Sequence, residues 1–246
     1  MTKGWGAGSG GRAVRALGWA GLAVALCMTP FPIAVAANAG GIAVNAEEAS
    51  INAVDPHIAA LEARVKAIRQ NKNALQSSIA AGRKATFFCA NCHGVDGNSP
   101  FRGVPNLAGQ NAFYLLTQIQ KFADGRRQSS AFMQGLVRVL SDTDKINISL
   151  YFASQTVHPA VVAHTAQWQT GGALFSQRCV QCHGTTAMGD ERIPRLAGQH
   201  PEYLVLSLSR YRAHNGQRMD PLMQAVTASL TNAQIQDIAL YLSSKN

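Results

Sequence analysis

Two short stretches constrain this chain more than anything else in it: Cys89-Ala90-Asn91-Cys92-His93 and Cys179-Val180-Gln181-Cys182-His183. Each reads Cys-x-x-Cys-His, the attachment pattern of a c-type haem. Two residues between the cysteines let both sulfurs face one edge of a porphyrin and bond its two vinyl groups. The His after the second Cys then lies under the iron as an axial ligand. Cys-x-x-Cys alone also suits a redox dithiol or half of a zinc site. The trailing His, present both times, argues against the dithiol, and a zinc ribbon needs its Cys pairs much closer together. The expected cofactors are two covalently bound haem c groups, held at Cys89, Cys92 and His93 and at Cys179, Cys182 and His183.

The cysteine count agrees with export. Residues 1–39 carry Lys3, Arg12 and Arg15 and no acid, then an apolar run from Ala16 to Met28, then Ala34-Val35-Ala36 and Ala37-Asn38-Ala39. A basic start, an apolar middle and an Ala-x-Ala end describe a secretory signal peptide, with cleavage after Ala36, Ala37 or Ala39. The alternative is an uncleaved anchor, since Ala16 to Ala36 is just long enough to span a bilayer, although Pro30 and Pro32 sit badly in it. Leu26, not a small residue, precedes Cys27, which argues against a lipidation site. Of five cysteines, one lies in this segment and four are taken by haem, so no thiol remains for a disulfide or for nucleophilic catalysis. The expected location is the periplasm, with membrane association if the segment is kept. The formal charge of +9 falls to +6 without Lys3, Arg12 and Arg15, and haem propionates offset more of it. No extended Lys/Arg run is present, so a mild field for docking redox partners fits better than nucleic acid.

From Ala81 onward the chain repeats itself. Gly82 and Gly172 each stand seven residues before the first Cys, and Pro105-Asn106-Leu107-Ala108-Gly109-Gln110 matches Pro194-Arg195-Leu196-Ala197-Gly198-Gln199. Tyr114 matches Tyr203, Arg127 matches Arg218, Met133 matches Met223 and Tyr151 matches Tyr241. The offset is 90 at the cysteines and again at the methionines. The pattern predicts tandem all-α domains of one fold. Domain 1 is expected over 81–155 and domain 2 over 170–246, joined by a linker at 156–169 and preceded by an N-terminal extension at 40–80. In that extension Asp55-Pro56 should open an amphipathic helix, with Ile58, Leu61, Val65, Ile68, Leu75 and Ile79 on one face, Lys72 filling one apolar slot, and Glu62–Lys66 as an i, i+4 pair. This extra helix is either a brace on its own protein or a docking helix for a partner. Further helices are expected over Ala112 to Ala123 and Pro201 to His214, and after N-caps at Ser141-Asp142 and Thr231-Asn232.

Each iron needs a second axial ligand or stays open. Met133 and Met223 sit 44 residues after their first Cys in both copies, whereas His57, His158, His164, His200 and His214 have no partner in the other copy. The expected metal ligands are therefore His93 with Met133 and His183 with Met223. Such an iron is saturated; it transfers electrons and does not bind oxygen or peroxide.

Two Cys-x-x-Cys-His domains, the Pro-x-Leu-Ala-Gly-Gln loops and the late Met in each copy resemble the dihaem cytochromes c of the cytochrome c4 type over Ala81 to Asn246. The resemblance implies two tandem class I cytochrome c domains, here with an extra N-terminal amphipathic helix, whose haems meet near the domain interface. It implies that the carbonyls of Pro105 and Pro194 accept the ring N–H of His93 and His183, and that Tyr151 and Tyr241 pack the last helix on the N-terminal one. It implies an electron carrier, not an enzyme, in a respiratory chain. The donor would be a cytochrome bc-type complex oxidising quinol or a periplasmic dehydrogenase, and the acceptor a terminal oxidase or reductase. Two alternatives stand beside it: a cytochrome subunit dedicated to one dehydrogenase, such as a flavoprotein acting on sulfide or an alcohol, and a dihaem peroxidase with an open iron.

Overall fold

The computed structural model describes residues 55–246; the candidate signal segment lies outside the described residues. Eleven helices are found in them: α1 (Pro56–Gln70), α2 (Lys72–Ala85), α3 (Phe87–His93), α4 (Ala112–Ala123), α5 (Ala131–Arg138), α6 (Asp142–Ala153), α7 (Ala166–Arg178), α8 (Val180–His183), α9 (Pro201–Ala213), α10 (Pro221–Thr227) and α11 (Asn232–Ser243). No strand is present among the described residues, and none of these helices is long and apolar enough to cross a membrane.

The expected opening of α1 is found: the Asp55 carboxylate accepts the His57 N–H at 2.9 Å, with Pro56 in the first turn. The expected single helix through Ile79 is not. Asn71 is extended, with φ −115° and ψ 110°, and its side chain accepts the Ala74 N–H at 3.0 Å. One residue thus ends α1 and caps α2, which is what a short polar side chain does better than extend a helix. The apolar period survives the break because both helices present their apolar residues to the same domain. Lys72 needs no apolar slot, since it begins α2 and is exposed.

This break redraws the domain limits. Helix α2 lies along α6, the last helix of its domain, as α7 lies along α11. The first haem domain therefore begins at Lys72, and a boundary at 81 would cut α2. The linker ends at Thr165, whose hydroxyl caps α7, so Ala166–Gln169 belong to domain 2. The element without a counterpart is α1 alone.

Close approach of these helix pairs depends on a glycine. A Cβ on Gly82 would sit 2.1 Å from the Asn147 carbonyl oxygen and 2.7 Å from Tyr151 Cβ. The equivalent position in domain 2 is Gly171, 2.0 Å from the Asp237 oxygen and 3.0 Å from Tyr241 Cβ, not the Gly172 that equal spacing to the cysteines suggests. Gly171 stands eight residues before Cys179, whereas Gly82 stands seven before Cys89, so one extra residue between glycine and cysteine shifts the count. Tyr151 and Tyr241 do pack the last helix on the first, as the resemblance implied. Gly82→Ala is expected to lower the unfolding free energy by about 3 kcal/mol, because backbone and a Cβ rather than a flexible tip must move. Thermal unfolding of the variant against the parent checks this.

Helix α1 fills the groove between α4 and α6. Leu61 and Val65 join Phe113, Leu116, Ile146 and Leu150 in a buried cluster. Glu62 does not pair with Lys66. It is buried and held by Arg192 of domain 2, whose Nε donates at 3.1 Å. Lys66 and Arg69 lie over the Phe113 ring at 5.7 and 5.2 Å, and Arg69 also reaches Glu191. The extra helix is a brace that touches both domains. The described residues, 55–246, accordingly lie within one compact unit.

Candidate haem sites and the interface between them

Each Cys-x-x-Cys-His ends a short helix. His93 closes α3 and His183 closes α8, and both are buried. The chain then leaves through Gly94 and Gly184 and returns in a loop that brings a proline carbonyl to each ring. His93 Nδ1 lies 2.9 Å from the Pro105 oxygen, and His183 Nδ1 lies 3.1 Å from the Pro194 oxygen. A carbonyl only accepts, so Nδ1 carries the proton and Nε2 keeps its lone pair. Burial pushes both imidazole pKa values down, against the opposing pull of those carbonyls. The rings are thus neutral at pH 7, the state that binds a metal.

The two methionines stand in matching places. Met133 and Met223 are the third residues of α5 and α10. The Met133 N–H donates to Ser130 Oγ at 3.2 Å, and the Met223 N–H to Asp220 Oδ1 at 3.0 Å. The structure puts both residues in the first turn of short capped helices. Both are half-buried, while their neighbours Phe132 and Leu222 are exposed. Large apolar side chains are also uncovered beside the Cys-x-x-Cys-His helices, at Phe87, Phe88 and Val95 in one domain and Met188 in the other. A flat apolar macrocycle suits such surroundings.

Between the domains the repeated residues meet one another. Gln110 Oε1 accepts the Arg195 N–H at 2.8 Å and its Nε2 donates to the Arg195 carbonyl at 2.8 Å. Gln199 does the same to Asn106, at 2.8 and 2.9 Å. The contact is isologous within one chain: each Pro-x-Leu-Ala-Gly-Gln loop grips the other. Gly109 and Gly198 hold positive φ, 61° and 65°, which turns the following Gln toward the partner domain. Arg195, almost fully buried, adds a bond from Nε to the Gly109 carbonyl at 3.0 Å and further bonds to the Ala108 and Ala197 carbonyls. Burial draws its pKa down to about 10, so it remains a cation at neutral pH.

A second repeated pair crosses the interface. Arg127 donates to Tyr203 Oη at 3.1 Å, and Arg218 donates to Tyr114 Oη at 3.0 Å and to Tyr203 Oη at 3.2 Å. Both arginines are buried. Lys121 and Arg210 adjoin them, and Arg210 Nε is buried without a hydrogen-bond partner. Burial disfavours ionisation of the Tyr203 phenol, yet the Arg218 and Arg127 guanidiniums outweigh it and lower its pKa. A field that stabilises a tyrosinate also stabilises carboxylates, so this cluster fits the two propionates that every haem carries.

Sequence comparison matches the same two-domain frame. The cytochrome c family profile matches residues 168–246. Cytochrome c4 of Pseudomonas aeruginosa is 36% identical over 176 residues, which cover 66% of this chain and 86% of that protein. The chain belongs to the cytochrome c4 family. The structure of reduced recombinant cytochrome c4 from Pseudomonas stutzeri superposes with a TM-score of 0.63 at 32% identity, over 68% of this chain and 98% of that one. A relative from Thiomonas intermedia named thiosulfate dehydrogenase electron acceptor is 32% identical, over 70% of this chain and 85% of its own. As a cytochrome c4 family member the protein is an electron carrier with two covalently bound haem c groups, not an enzyme. Sequence reasoning singled out the cysteines, histidines and methionines from their spacing, and Pro105 and Pro194 came with the resemblance. It did not identify Gln110, Gln199, Arg127, Arg218, Tyr114 or Tyr203 as functional, although their recurrence at the repeat offset was the available signal.

Proposed function

We propose that this cytochrome is a periplasmic one-electron relay in which His93 and Met133 hold one iron and His183 and Met223 the other. Cys89 and Cys92 tether the first haem, and Cys179 and Cys182 the second. The observation that carries the reading is the matched pair of buried, neutral histidines, each with Nδ1 engaged by a proline carbonyl and Nε2 free for a metal. The haems supply the reversible one-electron chemistry. The protein buries the imidazoles, fixes their tautomer and seats the propionates in the Arg127–Arg218 cluster. Saturation of each iron by two protein ligands keeps the centre to electron transfer. The basic, apolar N-terminal segment supports export.

The donor is a periplasmic dehydrogenase, and the acceptor is a terminal oxidase or another reductase. A thiosulfate-oxidising dehydrogenase is favoured as donor, because two relatives carry the name thiosulfate dehydrogenase electron acceptor. A quinol-oxidising cytochrome complex is the alternative donor. The test is a haem count and optical spectrum of the mature protein, followed by stopped-flow reduction by each class of donor. Two low-spin haems per chain, no carbon monoxide binding and rapid reduction by a thiosulfate dehydrogenase are expected. One haem per chain, or an iron that binds carbon monoxide, would overturn the ligation; rapid reduction by the quinol-oxidising complex alone would overturn the donor.

A further inference from the structure

The carbonyl that accepts the His93 N–H and the Asn106 N–H belong to one peptide group, Pro105–Asn106. That peptide is held at both ends: the oxygen takes His93 Nδ1–H at 2.9 Å, and the N–H donates to Gln199 Oε1 of the other domain at 2.8 Å. The mirror arrangement holds in domain 2. The Pro194–Arg195 peptide accepts His183 Nδ1–H at 3.1 Å and donates to Gln110 Oε1 at 2.8 Å. Both glutamines are buried, and each oxygen also accepts the N–H of the next residue, Asn111 or His200. The amides therefore cannot turn over without losing several bonds at once.

We propose that Gln199 is a positioning residue for His93 and Gln110 for His183, so that each domain sets the ligand strength of the other domain's iron. The proposal rests on the haem ligation proposed above. The peptide transmits the effect through its own resonance. Donation from its N–H makes its oxygen a better acceptor, because hydrogen bonds in a chain polarise one another. A better acceptor on Nδ1–H makes the imidazole a more basic ligand. A more basic ligand favours the ferric state and lowers the reduction potential. Coupling of this kind is reciprocal. Oxidation of one iron acidifies its Nδ1–H, strengthens the chain, and tightens the grip of a glutamine that sits in the other domain's own haem loop.

The crossed wiring gives the test. Gln199→Met keeps the volume and removes both bonds to Asn106; Gln110→Met does the same to Arg195. Each variant is titrated redox-potentiometrically, with the two haems followed separately by their paramagnetically shifted proton signals. Gln199→Met should raise the potential of the domain 1 haem and increase its share of the first electron about threefold, with the domain 2 haem nearly unmoved. Gln110→Met should do the reverse. Gln199→Glu, which keeps an oxygen facing the Asn106 N–H, should not raise the domain 1 potential. A shift confined to the mutated domain's own haem, an equal shift of both, or no shift would overturn the proposal. Optical spectra of the same samples report the ligation independently. An uncrossed shift in a protein whose haems both stay low-spin defeats the positioning role and leaves the carrier reading intact.

Discussion

Met133→Leu is expected to convert one of the two haems from a closed, low-spin centre into an open one that binds carbon monoxide. Leucine fills about the same volume and has no lone pair to offer iron, so the cost to the fold is small, about 1 kcal/mol. The short helix should persist, because its cap is the Ser130 hydroxyl on the Met133 backbone N–H and is indifferent to the side chain. Carbon monoxide uptake should rise from none to about one per chain, and the potential of that haem should fall, since the soft thioether that favours ferrous iron is gone. Met223→Leu should produce the same change at the other haem, for its N–H is capped by Asp220 in the same register. The double variant should bind about two. Carbon monoxide titration with optical detection reads all three. A Met133→Leu protein that remains fully low-spin would show that its ligand lies elsewhere.

That expectation was already legible in the sequence, because ligand chemistry leaves a spacing that repeats. The histidines, their cysteines and the methionines could be paired by counting. The proline carbonyls came only with the resemblance, and the structure supplied the distances. Two features could not be read. The first is the break at Asn71. An apolar period continues across it, since α1 and α2 both face domain 1, and periodicity reports a face without reporting a turn. The second is the interface. Pro-x-Leu-Ala-Gly-Gln looked like a haem loop with a glycine turn, and nothing in one copy says that its partner is the other copy. Symmetry hides this. A residue that grips the equivalent loop of the other copy across a two-fold contact recurs as regularly as a ligand does. Arg195 and Asn106 occupy equivalent positions and show where the copies differ: domain 2 places a buried guanidinium on three carbonyls, and domain 1 places an amide on one.

The same symmetry makes Arg218 the residue whose loss should be felt most widely. Its guanidinium spans the domains, bonding Tyr114 Oη at 3.0 Å and Tyr203 Oη at 3.2 Å while lying 4.8 Å from the centre of the Tyr211 ring. Burial works against its charge, but the phenols of Tyr203, Tyr114 and Tyr211 outweigh that and push its pKa above the ordinary value. Arg218→Met removes two charge-assisted hydrogen bonds from a buried site, a loss of about 3 kcal/mol. It also removes a positive charge from the cluster proposed to seat the propionates. A nearby cation disfavours the more positive ferric iron, so its removal should lower the potentials. This is opposite in sign to the effect expected for the glutamines. Arg218→Lys separates the two contributions. It keeps the charge but cannot bridge both phenols, so stability should still drop while the potentials stay near those of the parent. Thermal unfolding and redox titration of the two variants side by side decide the matter. If Arg218→Met leaves the potentials unchanged, the cluster is a structural tie between the domains and not part of the haem environment.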